Sequence, residues 1–154
     1  MSSTLPSTPQ DNEILVYADG GCRGNPGPAG LGVVMRWDQY ERSYSEYLGP
    51  ATNNIAELTA VLRALQSLPD PTRPVHILTD SQYTIGVLTK NWKAKANVEL
   101  IATIKDTLAG VGRYAFTHVR GHAGVALNER ADALANQAMD TQQSAGWSET
   151  RSIG

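Results

Sequence analysis

Ile14-Leu15-Val16-Tyr17-Ala18-Asp19-Gly20-Gly21-Cys22-Arg23-Gly24-Asn25-Pro26-Gly27-Pro28 decides how the rest of the chain is read. Five apolar residues in a row, without polar alternation, predict a strand buried on both faces, and such strands lie inside a sheet. Asp19 follows at once, so a carboxylate stands on the rim of that sheet. The Asn-Pro-Gly-Pro run then turns the chain. This glycine-rich stretch does not cradle a phosphate: it lacks Gly-Lys-Ser/Thr, and its prolines remove backbone donors. A rigid acid on a sheet rim is within reach of a metal ion or a substrate, so its partners are the next thing to find.

Outward from that strand, residues of about 30–37 and 41–48 predict two more strands, and the break at Asp38-Gln39 makes them a hairpin. A helix is predicted over about 54–67, with Ile55, Leu58, Leu62 and Leu65 on one stripe. Asn54 with Glu57 reads as a capping pair, and Pro69 and Pro71 stop the helix. A short strand over about 75–79 ends at Asp80, and a helix begins near Ser81. A further helix covers about 97–109, a strand about 113–119 and a last helix about 126–139. The order is βββαβααβα without internal repeat. It predicts an α/β fold with a mixed five-stranded sheet, three antiparallel strands followed by parallel ones, flanked by helices.

The 154 residues suit one domain, long enough to bury a core without staples. A single cysteine excludes an internal disulfide, and the opening residues do not read as a signal peptide; both predict a reducing, cytoplasmic setting. No apolar stretch approaches the roughly 20 residues of a membrane span, so no membrane is expected as a partner. With a net charge of −2 and a pI near 5.9, global charge does not mark a nucleic-acid binder. Attraction to a polyanion would have to come from local Lys and Arg or from bound cations. Residues 1–12 read as a disordered tail, 13–140 as the domain, and 141–154, polar apart from Trp147, as a flexible C-terminal tail.

Asp19 and Asp80 each end a strand at its C-terminal side. If those strands are parallel neighbours, both acids share the rim where open α/β sheets bind ligands. Glu57 lies one turn into the first helix, and Asp132 about two turns into the last, beside the inward Ala131. Taken singly, each has a plain reading: a turn acid, an N-cap, a capping residue, a solvated helix acid. Together they would repel, since two unit charges about 4 Å apart interact by roughly 4 kcal/mol at a surface-like dielectric. Such a cluster persists only with cations in it or with some members protonated. All-oxygen donors suit Mg²⁺ or Mn²⁺ rather than zinc, and two such ions serve phosphodiester hydrolysis. Arg120-Gly121-His122-Ala123-Gly124 sets His122 between glycines, ten residues before Asp132, where a loop histidine can carry a proton. His76 and His118, within strands, read as structural.

The motifs that carry a resemblance are the run from Tyr17 to Gly30, Ala51-Thr52-Asn53-Asn54-Ile55-Ala56-Glu57-Leu58, Thr79-Asp80-Ser81-Gln82-Tyr83, Val119-Arg120-Gly121-His122-Ala123-Gly124, and Asn128-Glu129-Arg130-Ala131-Asp132-Ala133-Leu134-Ala135. In this order, over about residues 13–140, they resemble the bacterial type 1 ribonuclease H family, which cleaves RNA in RNA–DNA hybrids. The resemblance implies a ribonuclease H-like fold and a metal-dependent endonuclease that leaves a 3′-hydroxyl and a 5′-phosphate. It implies a catalytic set of Asp19, Glu57, Asp80 and Asp132 holding two Mg²⁺, with Mn²⁺ able to substitute and Asp19 bridging the ions. His122 would assist proton transfer or product release. Asn25, Asn53 and Asn54 would contact the shallow minor groove and Cys22 would lie near it, where 2′-hydroxyls mark an RNA strand. Thr52 would bind a DNA-strand phosphate, and Trp92 would line the DNA-strand channel.

Two departures stand out. Pro50 occupies the place of an arginine often found in the phosphate pocket, and the basic protrusion is missing, leaving Lys90, Lys93 and Lys95. The expected partner is an RNA–DNA hybrid, and the expected state a monomer. A related-fold 3′-5′ exonuclease and a non-cleaving hybrid-binding module stay open as alternatives.

Overall fold

The computed structural model describes residues 5–10, 12–120 and 125–151. Its elements run β1 (Ile14–Cys22), β2 (Gly27–Trp37), β3 (Tyr40–Ala51), α1 (Asn53–Gln66), β4 (Pro74–Thr79), α2 (Gln82–Thr89), α3 (Val98–Ala109), β5 (Arg113–His118), α4 (Ala126–Thr141) and β6 (Gly146–Arg151). The strands form one mixed sheet in the order β5-β4-β1-β2-β3-β6. β1 pairs parallel with β4 and antiparallel with β2; β4 pairs parallel with β5. The expected α/β architecture is therefore present, with β1 central.

The apolar run of β1 serves two cores at once. Ile14, Val16 and Ala18 face α1 and the helices beyond it, whereas Leu15 and Tyr17 face α4. This is why the run carries no polar alternation: both faces are covered. α4 sits close on β2 because Gly32 has no side chain; a Cβ there would fall 2.2 Å from the Ala131 carbonyl oxygen. Among the described residues, no helix is long and apolar enough to cross a membrane.

Among the described residues the sheet has six strands rather than the five expected. The sixth comes from the segment read as a flexible C-terminal tail: β6 pairs antiparallel with the outer edge of β3, from Tyr40↔Arg151 to Ser45↔Gly146. Trp147 stacks on Tyr44 at 4.6 Å between ring centroids, and Glu149 accepts from Arg42 Nε at 2.7 Å. The polar sequence of β6 hid it, since its last four residues are exposed and only its start packs on the body. Part of the N-terminal tail is also engaged: Leu5 packs on the α4-side core, and the Tyr17 hydroxyl donates to the Pro6 carbonyl.

Two helix starts differ in their caps. Thr52 Oγ1 accepts from the Ile55 amide and caps α1, and Ser81 Oγ accepts from the Thr84 amide and caps α2. Glu57 is therefore not part of a capping pair, and Asp80 is not an N-cap. Both carboxylates are left for another use.

Candidate active site

The register of the sheet brings the acids together. β1 and β4 pair in parallel as far as Tyr17↔Leu78; two residues further on, the same register sets Asp19 beside Asp80. β1 continues to Cys22 along β2 while β4 stops at Thr79, so the rim is stepped at this point. α1 fills the step. Gly20 lets its backbone approach, for a Cβ would lie 2.4 Å from the Ala56 carbonyl carbon. The Gly20 amide donates to Glu57 Oε1 at 2.7 Å. One carboxylate oxygen each from Asp19, Glu57 and Asp80 lie within 4.8 Å of one another. Asp132, on α4, comes up beside Asp19 from the other face of the sheet.

The electrostatics follow because, among the described residues, the charged groups acting on Asp19 and Glu57 are other acids. Burial first, then the charge of Asp80 and the hydrogen bond and charge of Asp132, push the Asp19 carboxyl up to about 8; the Gly20 amide opposes them. Burial is also the largest effect on Glu57, followed by the hydrogen bond and charge of Asp80 and the charge of Asp19, and together they raise it well above the ordinary range. No ion pair among the described residues reaches any of the four acids. A cluster of oxygens with no guanidinium or ammonium partner has the donor chemistry of a hard divalent cation site. The residues present fit such an ion.

The other anticipated residues fall into two places. Along the lip beyond Asp19, the Cys22 amide donates to Asn53 Oδ1 and the Asn53 amide to Asn25 Oδ1, both at 3.1 Å. Cys22 Sγ lies 3.5 Å from Asn25 Oδ1 and 3.7 Å from Asn53 Oδ1. Thr52 and Asn54 flank this network at the start of α1. Trp92 stands apart, after α2, with its indole over Gly86 and 49% exposed. It lines a cavity of about 180 Å³ with Gln82, Ile85, Lys90 and His118. His122 lies outside the described residues.

Two neighbours of the acids escaped the sequence reading. His118, taken as structural, has Nε2 3.2 Å from the Asp80 carbonyl oxygen, which can only accept. Asn136 Nδ2 donates to the Asp132 carbonyl oxygen at 3.0 Å and to its Oδ2 at 3.1 Å. The spacing of four from Asp132 on a predicted helix was the available signal for Asn136. A larger cavity of about 490 Å³, lined by residues such as Arg42, Trp147 and Glu149, lies at the C-terminal end of α1. α1 is about 20 Å long at its 14 residues, so that cavity is remote from the acids at its start.

Known proteins resemble this chain in both sequence and fold. The family described as RNase H matches residues 11–140. The ribonuclease H of Halorhodospira halophila is 42% identical over 146 residues, spanning 86% of this chain and 97% of that protein. The ribonuclease H of Bordetella pertussis is 43% identical over 141 residues, spanning 83% and 90%. LC11-RNase H1, isolated from compost, superposes with a TM-score of 0.73 at 36% identity, covering 85% of this chain and 98% of that one. Its crystal structure in complex with an RNA/DNA hybrid gives 0.70 at 34% identity, covering 84% and 98%. With the match running across β1, the acid-bearing helices and the rim they share, this chain belongs to the ribonuclease H family.

Proposed function

We propose that this chain hydrolyses the RNA strand of RNA–DNA hybrids as an endonuclease, with Asp19, Glu57, Asp80 and Asp132 as the acids that hold two Mg²⁺. The observation that carries this reading is the meeting of three carboxylates from β1, α1 and the end of β4, where the described charges acting on Asp19 and Glu57 are those of other acids. The ribonuclease H relatives and the hybrid-bound structure of LC11-RNase H1 support the substrate. When bound, the ions supply Lewis acidity to the attacking water and to the leaving oxygen. Mn²⁺ takes the same oxygen donors and is expected to substitute.

The chain's own residues do the positioning. Asp19, in register with Asp80, would contribute to holding both ions. Glu57 is oriented by the Gly20 amide. Asn25 and Asn53 spend their Oδ1 atoms on backbone and thiol neighbours, so their Nδ2 groups, free of the described hydrogen bonds, are the donors left for groove acceptors. Cys22 stands between them as the thiol of that edge. Asn54 and Thr52 extend the same lip, with the Thr52 hydroxyl hydrogen available to a phosphate while its oxygen caps α1. Trp92 offers an exposed indole to the DNA strand. His122 is assigned the proton carrier's part. A monomer in a reducing cytoplasm fits the single domain and lone cysteine.

The test is a cleavage assay on a uniform RNA–DNA hybrid, with Mg²⁺ and Mn²⁺ compared. Internal cuts bearing 3′-hydroxyl and 5′-phosphate ends are expected. Trimming only from free 3′ ends would favour the exonuclease reading, and binding without turnover in both metals would favour the non-cleaving module.

A further inference from the structure

The four acids are not held alike. Asp19 is fixed by the register of β1 with β2, and Glu57 by the Gly20 amide. Asp132 is exposed, sits on a helix, and lies outside the trio whose oxygens meet within 4.8 Å. Its backbone is well placed: Gly32 brings β2 against the Ala131 carbonyl, and Gly30 brings it against Ala138 and the Ala135 carbonyl. A fixed backbone leaves the carboxylate free to turn about its own side-chain bonds, and an exposed acid among like charges would turn away from them. Asn136 removes that freedom. Its one amide group, with two hydrogens, spans the Asp132 carbonyl oxygen and Oδ2. The same carboxylate also hydrogen-bonds the Asp19 side chain.

We propose that Asn136 is a positioning residue: it holds Asp132 as a one-oxygen ligand turned toward Asp19 and a divalent cation. The inference rests on the assignment of Asp132 to the metal-holding set. The chemistry of the amide suits the task. A carboxamide donates hydrogen bonds without bringing charge, so it orients an ionised acid without competing for it as a guanidinium would. A lysine or arginine at the same place would neutralise Asp132 and oppose the cation.

The test uses the full chain with Asn136→Leu, which removes the donor, and Asn136→Gln, which keeps an amide able to reach an acid four residues earlier. Mn²⁺ binding is measured by calorimetry without substrate, beside the Mg²⁺ concentration for half-maximal cleavage, the hybrid KM at saturating Mg²⁺, and thermal stability. Asn136→Leu is expected to weaken Mn²⁺ binding by about tenfold and to raise the Mg²⁺ requirement similarly, with KM within about twofold. Asn136→Gln is expected to recover most of the loss. Wild-type Mn²⁺ binding in Asn136→Leu, equal loss in both variants, a change confined to KM, or a fall in thermal stability alone would each overturn the proposal. If Asn136→Leu does not fold, Asn136→Ser, too short to reach Oδ2, makes the same comparison with Asn136→Gln. The calorimetric arm needs no turnover, so a failure of the hybrid-cleaving reading shows separately, as a wild-type chain that binds Mn²⁺ and does not cut.

Discussion

Glu41 and Glu46 on β3, and Asp19 and Glu57 at the rim, are partly or fully buried acids of one small sheet, yet their surroundings drive them in opposite directions. Burial alone would raise Glu41 and Glu46. Around Glu41, the hydrogen bonds and charges of Arg36 and Arg130 outweigh it; around Glu46, those of Arg63, with the Tyr44 hydroxyl, do the same. Both carboxyls end below their ordinary range. At the rim, burial is joined by other acids, and Asp19 and Glu57 end above theirs. The fold therefore supplies a cation to the acids of β3 and none, among the described ion pairs, to the acids of the rim. That difference in partners, not the presence of buried acids as such, marks the candidate site.

The largest expected effect separates the two sets by function. Asp19→Asn removes the proposed cation ligand and should cost about 4 kcal/mol or more of transition-state stabilisation, roughly a thousandfold in turnover. Cleavage of a uniform hybrid in Mg²⁺ measures it, with circular dichroism as the check on folding. Glu46→Gln should leave turnover within about twofold while costing about 1.5–3 kcal/mol in urea unfolding, the usual value of a hydrogen bond to a charged group. Near-normal turnover by Asp19→Asn would end the contrast.

Divalent ions should act on one set alone. At a concentration a hundred times the dissociation constant, an ion that binds only the folded chain adds about 2.7 kcal/mol to its stability. Thermal unfolding with and without Mn²⁺ should show this gain in the wild type and in Glu46→Gln, and lose most of it in Asp19→Asn. An equal gain in all three would place the binding elsewhere.

The pH dependence of the metal-free chain should split in the same way. Asp19 releases its proton near 3.8 when unfolded but near 8 when folded. Between those values the folded state holds a proton that the unfolded state has lost, so stability falls as pH rises through the window. Asp19→Asn should flatten that decline and raise stability at its alkaline end. For Glu46 the folded value lies below the unfolded 4.5, so its contribution is present above 4.5 and is lost as pH falls through the lower folded value. Glu46→Gln should flatten only this acid limb. Urea unfolding across pH reads both, and a reversal of the two limbs would contradict the partner argument.

Much of this was legible in the sequence for one physical reason: period and punctuation are local. The unbroken apolar run at 14–18, the stripe Ile55, Leu58, Leu62 and Leu65, and the acids at strand ends needed no tertiary knowledge. The parallel pairing of β1 with β4 then made the convergence of Asp19 and Asp80 a matter of register. What escaped was non-local. β6 has no apolar alternation because β3 and Tyr44 supply what it packs on. The capping pair was misplaced by two residues because Thr52 and Asn54 have equal capping chemistry, and only the backbone decides between them. Arginine partners such as Arg63 for Glu46, 17 residues away, leave no pattern in the chain. The property that divides the two sets of acids was thus the least visible from sequence.

The smallest expected effect tests whether partnering alone makes an acid structural. Asp140, at the end of α4, also has an arginine: Arg23 Nη2 lies 2.7 Å from its Oδ1. Here the side chains are 49% and 65% exposed. Water screens such a pair, and holding two mobile side chains together offsets most of the attraction, so exposed pairs contribute about 0–1 kcal/mol. Asp140→Asn should therefore shift stability by no more than about 0.5 kcal/mol, far less than Glu46→Gln, although both break an arginine–carboxylate contact. Arg23 follows Cys22 on the lip beside Asn25, so releasing it should lower the hybrid KM slightly by adding a free cation near the substrate's phosphates. A stability loss as large as that of Glu46→Gln would mean that burial is not what gives the β3 pairs their weight. The contrast with the rim would then rest on charge sign alone.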